Sequence, residues 1–227
     1  MVKKQSKTTR GNGAEVGQAQ RVGLFGASGC GKSTKSRELI KGLNRVIYFE
    51  PMADDARRLE KDGFKICCGL EALRAELRKK WQTGFKLVLF PQMNKEELSL
   101  SMLSHELMQL QAGYGMTHNA QITLVVDELD LSFPSGITQR IPGNGFKNLV
   151  CRGRHTGVNV LGISQRMHLV DNSFRGNMSA VYLYRHAEPA DIDTGLKLIG
   201  REYRQTFKDL ENFQYIYKSG SKIFVKK

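Results

Sequence analysis

Apolar and polar positions recur along this chain with two periods, one typical of strands and one typical of helices. Short apolar runs predict strands at Val22–Phe25, Arg45–Phe49, Phe64–Cys67, Leu87–Phe90, Ile122–Val126, Val158–Ile163 and Ala180–Tyr184. Longer amphipathic stretches predict helices at Lys32–Leu43, Ala53–Lys61, Leu70–Thr83, Lys95–Ala112, Phe146–Gly153 and Ala190–Leu198. Strands that alternate with helices in this way are typical of βαβ units. The pattern therefore predicts an α/β fold with a mostly parallel central sheet flanked by helices.

The two ends of the chain depart from this alternation. Residues 1–20 are polar, basic and without periodicity, so we predict a flexible basic arm. Such an arm suits binding to DNA, to a capsid or to a membrane surface, and it equally suits a solubilising tail. Near the other end, Phe213–Tyr217 and Lys222–Val225 flank a Ser-Gly-Ser turn and predict a C-terminal β-hairpin. We expect this hairpin, residues 212–227, to be a small extension that follows a main domain of residues 21–211.

Composition and charge narrow the class of protein. The 227 residues are 40% hydrophobic, which is enough for the core of one α/β domain. The net charge of +13 favours a polyanionic partner, because neutralised phosphates release counterions, although an anionic membrane would suit it equally well. No apolar run approaches the roughly 18 residues of a membrane span, so we expect a cytoplasmic protein. The four cysteines form no C-x-x-C pair, which argues against a zinc site or a disulfide scaffold.

A glycine-rich motif follows the first predicted strand and opens the first predicted helix. Its spacing, G-A-S-G-C-G-K-S, is that of a phosphate-binding loop. Glycines let backbone N–H groups turn towards a phosphate, and the helix start adds positive potential. Lys32 would neutralise the β- and γ-phosphates, and the Ser33 hydroxyl would complete the coordination of Mg²⁺. The predicted ATP-binding residues are Gly26, Ala27, Ser28, Gly29, Cys30, Gly31, Lys32, Ser33 and Thr34.

An acidic pair ends the predicted strand Ile122–Val126. Ligands of open parallel sheets bind at the carboxyl ends of strands, so Asp127 can reach Mg²⁺, partly through water. Glu128 is placed to polarise an attacking water molecule. The alternative is that the two acids only cap the segment that follows. With the phosphate loop upstream, the pair predicts hydrolysis of ATP.

A basic stretch and a glutamine surround the predicted strand Val158–Ile163. Gln165 follows this strand, where its amide can hydrogen-bond the γ-phosphate or the attacking water. Arg152 and Arg154 precede it, and either can stabilise transition-state charge, in a neighbouring subunit if the protein forms a ring. The alternative for both arginines is a basic helix end that pairs with the helix dipole or with DNA. The predicted catalytic residues are therefore Lys32, Asp127, Glu128, Arg152, Arg154 and Gln165.

Together the motifs resemble those of the FtsK/HerA superfamily of DNA-pumping ATPases. The segments that carry the resemblance are Gly26–Ser33, Asp127–Glu128, Arg154–Gly157 and Ser164–Arg166. They cover roughly residues 21–185, and the resemblance implies a P-loop NTPase fold of the RecA-like type with ATP and Mg²⁺ as cofactors. Glu50, after the second predicted strand, stands where Asp is more usual in that superfamily, which leaves its role open.

Within that superfamily the chain resembles the genome-packaging ATPases of icosahedral viruses with an internal membrane, the tectivirus type. Cellular FtsK has membrane spans and HerA has a β-barrel, and we expect neither addition in 227 residues. The resemblance implies a homo-oligomeric ring, expected to be a hexamer, that drives double-stranded DNA into a preformed capsid. It further implies capsid or portal vertex proteins as partners, membrane contact through those partners, and a location in the host cytoplasm and the virion.

Other functions also fit the phosphate loop. A filamentous-phage-type assembly or secretion ATPase has a similar domain but carries a membrane span, for which the apolar pattern gives no sign. A small-molecule kinase has less use for a water-activating Glu128 than a hydrolase has. A nucleotide-dependent scaffold would need little turnover. Hydrolysis that double-stranded DNA stimulates distinguishes the motor from these alternatives.

The phosphate-loop assignment gives a first testable prediction. Lys32→Ala removes the only positively charged side chain of the loop, so tight ATP binding should be lost. Titration of the purified variant with ATP measures this directly. An affinity equal to that of the wild type would refute the assignment.

Overall fold

A computed structural model of the chain describes residues 8–9, 15–52 and 56–226. The main sheet contains strands β1 (Arg21–Phe25), β2 (Arg45–Phe49), β3 (Lys65–Cys68), β4 (Phe85–Phe90), β5 (Ile122–Val126), β6 (Val158–Ser164), β7 (Ala180–Leu183), β8 (Tyr215–Ser219) and β9 (Lys222–Lys226). The helices are α1 (Lys32–Ile40), α2 (Ala56–Lys61), α3 (Leu70–Lys80), α4 (Glu96–Leu110), α5 (Leu129–Ser132), α6 (Ile137–Arg140), α7 (Gly145–Arg152), α8 (Asn172–Asn177), α9 (Pro189–Ile199) and α10 (Arg204–Lys208). Short 3₁₀ turns cover Gly153–His155, Met167–Leu169 and Arg201–Tyr203.

The strand order of the main sheet is β9-β8-β7-β1-β6-β5-β2-β4-β3. Every pair from β7 to β3 is parallel, and β8 pairs antiparallel with both of its neighbours, β7 and β9. The predicted α/β class with a mostly parallel sheet is therefore confirmed. One detail of the order determines the site: β6 lies between β1 and β5, so three strands that carry predicted motifs end side by side.

The predicted C-terminal hairpin is present and belongs to the main sheet. Its strands β8 and β9 pair through Tyr215 to Lys226 at one end and Ser219 to Lys222 at the other. Strand β8 also pairs with β7, with Ile216 opposite Leu183. Hydrogen bonding to β7 makes the hairpin the edge of the main sheet, so its strands continue the sheet of the domain that precedes them.

Both faces of the central strands β1, β2, β5 and β6 are buried, as expected for parallel strands covered by helices. In β1, Leu24 packs with α1 and α2 on one face, and the next residue, Phe25, packs with the larger set of helices on the other. The larger cluster includes residues of α3, α4, α7 and α9. Apolar strands without a polar face are thus explained by this three-layer arrangement.

Element boundaries differ from the predictions mainly at helix ends. Helix α1 ends at Ile40 and α3 ends at Lys80, each three residues before the predicted end. Helices α5, α6, α8 and α10 have four to six residues, too few for periodicity to reveal them. Residues 53–55 of the predicted second helix lie outside the described residues. None of the helices that the structure describes is long and apolar enough to span a bilayer.

The end of the predicted basic arm is bonded to the main domain. Gly17 accepts hydrogen bonds at its carbonyl from the Tyr114 hydroxyl at 2.8 Å and from the Gln121 amide at 3.0 Å. The Ala19 amide donates to the Arg154 carbonyl at 3.1 Å. Further back, residues 8–9 pair with residues 15–16 as a two-residue antiparallel ladder. Residues 1–7 and 10–14, the remainder of the arm, lie outside the described residues.

Close packing of α7 on α4 yields a stability prediction. A Cβ added at Gly145 would lie 2.1 Å from the Ser101 carbonyl oxygen, which is backbone and cannot rotate away. Gly145→Ala should therefore lower the free energy of unfolding by about 1–3 kcal/mol, as overpacking does. Urea denaturation of the purified variant measures the change.

Gly176→Ala in α8 is the matched control, because a Cβ there meets no atom within 4 Å. Its stability should equal the wild type or exceed it by up to about 1 kcal/mol, since alanine is the better helix former. Equal stability of the two variants would contradict the packing argument.

Candidate active site

The phosphate loop leaves β1 at Gly26 and enters α1 at Lys32. Two amides anchor its first residues, because Gly26 N donates to the Ser164 carbonyl at 3.3 Å and Ala27 N donates to the Arg185 carbonyl at 2.9 Å. Ser164 ends β6 and Arg185 follows β7, the two strands that flank β1. The loop is therefore held by both neighbouring strands.

Within the loop, Lys32 is turned inward. Gly29 and Gly31 have φ values of 71° and 107°, which glycine adopts without steric cost. The Lys32 residue is 8% exposed, and its amine donates to the carbonyls of Gly26 at 2.8 Å and Ala27 at 2.9 Å. These bonds hold its positive charge within the curve of the loop.

A cleft of about 300 Å³ opens in front of the loop. The predicted residues that line it are Ser28, Gly29, Gly31, Lys32, Ser33, Thr34, Asp127, Glu128 and Gln165. The structure therefore brings the phosphate loop, the acidic pair and the glutamine together. Gly26 and Ala27 instead anchor the loop through their amides. Cys30 is fully buried, and burial raises the pKa of its thiol, so this residue is part of the packing of the loop.

Asp127 is oriented by two donors. The Tyr48 hydroxyl donates to Oδ2 at 2.9 Å, and the Glu128 amide donates to Oδ1 at 3.0 Å. Tyr48 lies on β2, next to β5, and is 1% exposed. Burial, and then the charge of Asp127, raises the pKa of Tyr48 well above its usual value, so the hydroxyl stays protonated as a donor. The rotation of the Asp127 carboxylate is thus set by buried groups.

Glu128 and Gln165 contact each other directly. The Gln165 amide nitrogen donates to Glu128 Oε1 at 2.9 Å. Glu128 itself has φ 42° and ψ 56°, a left-handed conformation that is uncommon outside glycine and clusters at functional sites. Burial raises the pKa of Glu128, while the Gln165 bond acts in the opposite direction. A raised pKa brings a carboxylate closer to the range of an effective general base.

A third acid, Asp130, connects the segment after β5 with the end of β6. The Ser164 hydroxyl donates to Asp130 Oδ1 at 2.6 Å and accepts the Arg166 amide at 3.0 Å. Ser164 ends β6 and Asp130 lies in α5, two residues after the acidic pair that follows β5. The two bonds of the Ser164 hydroxyl therefore fix the backbone on both sides of Gln165, which lies between Ser164 and Arg166 in the chain. Asp130 is thus a support of the candidate site.

The cleft also has residues outside the predicted ATP-binding and catalytic sets. Its further lining residues are Glu50, Met52, Arg58 and Phe213. Glu50 is 3% exposed and directly follows β2. Of these four residues, it is the one that the sequence marks, because it stands at the end of a predicted strand. Arg58 lies in α2 and Phe213 precedes β8, so neither is near a motif in the sequence. Tyr48 was missed because it lies within an otherwise apolar strand.

The two arginines lie away from this cleft. Arg152 ends α7 and Arg154 lies in the following 3₁₀ turn, and both precede the amino end of β6, whereas Gln165 follows its carboxyl end. Seven strand residues separate these ends by roughly 20 Å, more than an arginine side chain spans. Both arginines are exposed, and neither guanidinium has a hydrogen-bond or ion-pair partner among the residues described. Arg154 still influences a neighbouring side chain: burial, and then the positive charge of Arg154, lower the pKa of Arg21 to about 10.

The oxygen donors of the cleft suit Mg²⁺. Ser33 contributes a hydroxyl and Asp127 a carboxylate, and both line the same cleft as Lys32. Within the described part of the chain, no group of three or more His, Cys, Asp or Glu side chains could hold a metal by itself. Mg²⁺ does not require such a cage, because it typically takes one or two protein oxygens together with substrate phosphates and water.

A parallel sheet with a phosphate loop at one strand end, and acids and an amide at the neighbouring ends, defines the fold of a P-loop NTPase. Solved structures share it. The genome packaging NTPase B204 from Sulfolobus turreted icosahedral virus 2, in complex with AMPPCP, is similar with a TM-score of 0.66 and 14% identity. The alignment covers 92% of this chain and 97% of B204.

Two further structures have the same fold. VirB4 of Thermoanaerobacter pseudethanolicus matches with a TM-score of 0.57 and 11% identity over 91% of this chain and 88% of that one. EssC (ATPases 2 and 3) from Geobacillus thermodenitrificans matches with a TM-score of 0.56 and 14% identity over 91% of this chain and 39% of that one. The resemblance inferred from the motifs is thus confirmed at the level of the fold. No family model and no curated protein matches the sequence.

Proposed function

We propose that this chain is an ATP-hydrolysing motor that translocates double-stranded DNA and packages a viral genome into a preformed capsid. The observation that carries the ATPase part is the convergence of Lys32, Asp127, Glu128 and Gln165 on one cleft. The fold shared with the genome packaging NTPase B204, over 92% of this chain and 97% of B204, supports the packaging part.

In this proposal each residue of the cleft has one task. The loop amides and Lys32 bind the β- and γ-phosphates of ATP. The Ser33 hydroxyl and the Asp127 carboxylate would hold Mg²⁺, which would supply positive charge beside the phosphates. Glu128 accepts a proton from the attacking water, for which its raised pKa suits it.

Gln165 connects hydrolysis to the rest of the domain. Its amide bonds Glu128 in the structure, and the same amide is within the cleft where a γ-phosphate would lie. When Gln165 turns to the phosphate, Glu128 is released towards the water. Gln165 is also tied through Ser164 to the phosphate loop, so its movement is passed to β6 and β1.

DNA is the proposed substrate because of charge. The chain carries a net charge of +13, and DNA phosphates release counterions when basic side chains neutralise them.

The second candidate is a secretion or assembly ATPase, which the shared fold of VirB4 and EssC favours. The two differ in whether DNA stimulates turnover.

A homo-oligomeric ring, by the family resemblance a hexamer, is part of the proposal. Arg154 lies too far from Gln165 to act on the cleft of its own chain, so a catalytic arginine here would serve the neighbouring subunit. Capsid or portal vertex proteins are the proposed partners, with membrane contact through them. The protein would act in the host cytoplasm and remain at the packaging vertex of the virion.

DNA-stimulated hydrolysis tests the proposal. The rate of phosphate release from Mg·ATP should rise when double-stranded DNA is added. Glu128→Gln should keep ATP binding and lose about 10²–10⁴-fold in rate, because the general base is gone. Glu71→Gln, 83% exposed on α3, is the matched control and should hydrolyse ATP normally. A rate that DNA leaves unchanged would favour the secretion alternative, and phosphate transfer to a metabolite would favour a kinase.

A mixing experiment tests the role of Arg154. Arg154→Ala should lower kcat on the order of 10³-fold if the residue acts in trans. Mixed with Lys32→Ala, which has a defective cleft but an intact arginine, it should recover activity in joint assemblies. Arg152→Ala in the same assay separates the two arginines. A near-normal rate for Arg154→Ala would assign that residue to DNA binding or to structure.

A further inference from the structure

An aromatic side chain lies at the edge of the cleft on the side of the C-terminal hairpin. Phe213 precedes β8, lines the cleft and is 62% exposed. Its ring covers Gly31 so closely that a Cβ on that glycine would lie 2.7 Å from Cδ1 of the ring. One part of the ring thus contacts the phosphate loop, and the remainder is exposed at the cleft.

The backbone holds Phe213 there in an unfavourable conformation. Its φ of 67° is left-handed, which is a genuine outlier for a bulky residue. The Phe213 amide donates to the Cys30 carbonyl at 2.9 Å, which ties the residue directly to the loop. Arg185 Nε also donates to the neighbouring Asn212 at 2.8 Å, and Arg185 itself accepts the Ala27 amide. Strain persists where surrounding contacts impose it, and such positions cluster at ligand sites.

Strand direction explains how a residue so late in the chain reaches the loop. Strand β8 is antiparallel to β7, and its first residues lie beside the carboxyl end of β7, with Ile216 opposite Leu183. The segment that enters β8 therefore meets the same edge of the sheet at which β1 delivers the phosphate loop. A parallel strand in this position would have entered from the opposite edge.

We propose that Phe213 forms the nucleobase subsite of this cleft, where the base of the bound nucleotide stacks on the exposed part of its ring. Aromatic rings stack on nucleobases because each base has a π-face, and this contact does not require a particular base. The loop under the ring receives the phosphates, so the phosphate subsite and the proposed base subsite lie close together, and the ribose of a nucleotide would span the space between them. This inference rests on the proposed ATP binding and assigns the part of the ligand that the phosphate loop does not recognise.

Comparison of two ligands tests the subsite. Phe213→Gly deletes the ring, and glycine adopts the left-handed backbone conformation without steric cost. The hydrogen bond from the amide of residue 213 to the Cys30 carbonyl should therefore remain. Titrations with Mg·ATP and with Mg·tripolyphosphate then separate base from phosphate recognition. The variant should bind ATP about 5- to 150-fold more weakly, the range of one lost base–aromatic stack, and should bind tripolyphosphate within about twofold of the wild type.

Two further variants complete the experiment. Phe213→Tyr keeps the aromatic ring and should retain ATP affinity. Phe224→Ala removes another exposed phenylalanine, on β9 away from the cleft, and should change neither affinity. Unchanged ATP affinity in Phe213→Gly would overturn the inference. Equal weakening of both ligands would also overturn it, because the ring would then only support the loop. A wild-type protein that bound neither ligand would instead refute the proposed function, and the subsite with it.

Discussion

The position of β6 between β1 and β5 is the constraint on which the site depends. Parallel strands end at the same edge of a sheet, so this order places the phosphate loop, Gln165 and the acidic pair on adjacent strand ends. Hydrogen bonds then join the ends, since Ser164 accepts the Gly26 amide and donates to Asp130. One residue of the middle strand thus links the phosphate loop to the acidic segment, and a shift of β6 would disturb both.

Each acid of the site is held by a different neighbour. Tyr48 orients Asp127 from β2, Gln165 bonds Glu128 from β6, and Ser164 bonds Asp130. Fixed orientation is what a site for developing charge requires, because the groups then need little reorganisation during the reaction. The left-handed backbone at Glu128 and Phe213 fits the same view, since backbone strain is retained where the surrounding contacts impose it.

The C-terminal hairpin has a larger part in the site than its place in the chain suggests. As the edge of the main sheet it brings Phe213 to the phosphate loop, which the first third of the chain forms. The reverse holds for Arg152 and Arg154. They lie next to β6 in the sequence, yet they precede its amino end, whereas the site lies at its carboxyl end. Nearness in sequence and nearness to the site are therefore separate properties in this fold.

By itself the sequence determined the alternating α/β pattern, the phosphate loop and the strand ends at which Asp127, Glu128 and Gln165 stand. These features follow from local chemistry, since apolar period, glycine spacing and turn residues act over a few neighbours. Only the tertiary structure decided that Tyr48 bonds Asp127 and Gln165 bonds Glu128, contacts between residues 79 and 37 positions apart. Strand order and direction bring such residues together, and short-range periodicity does not contain that order.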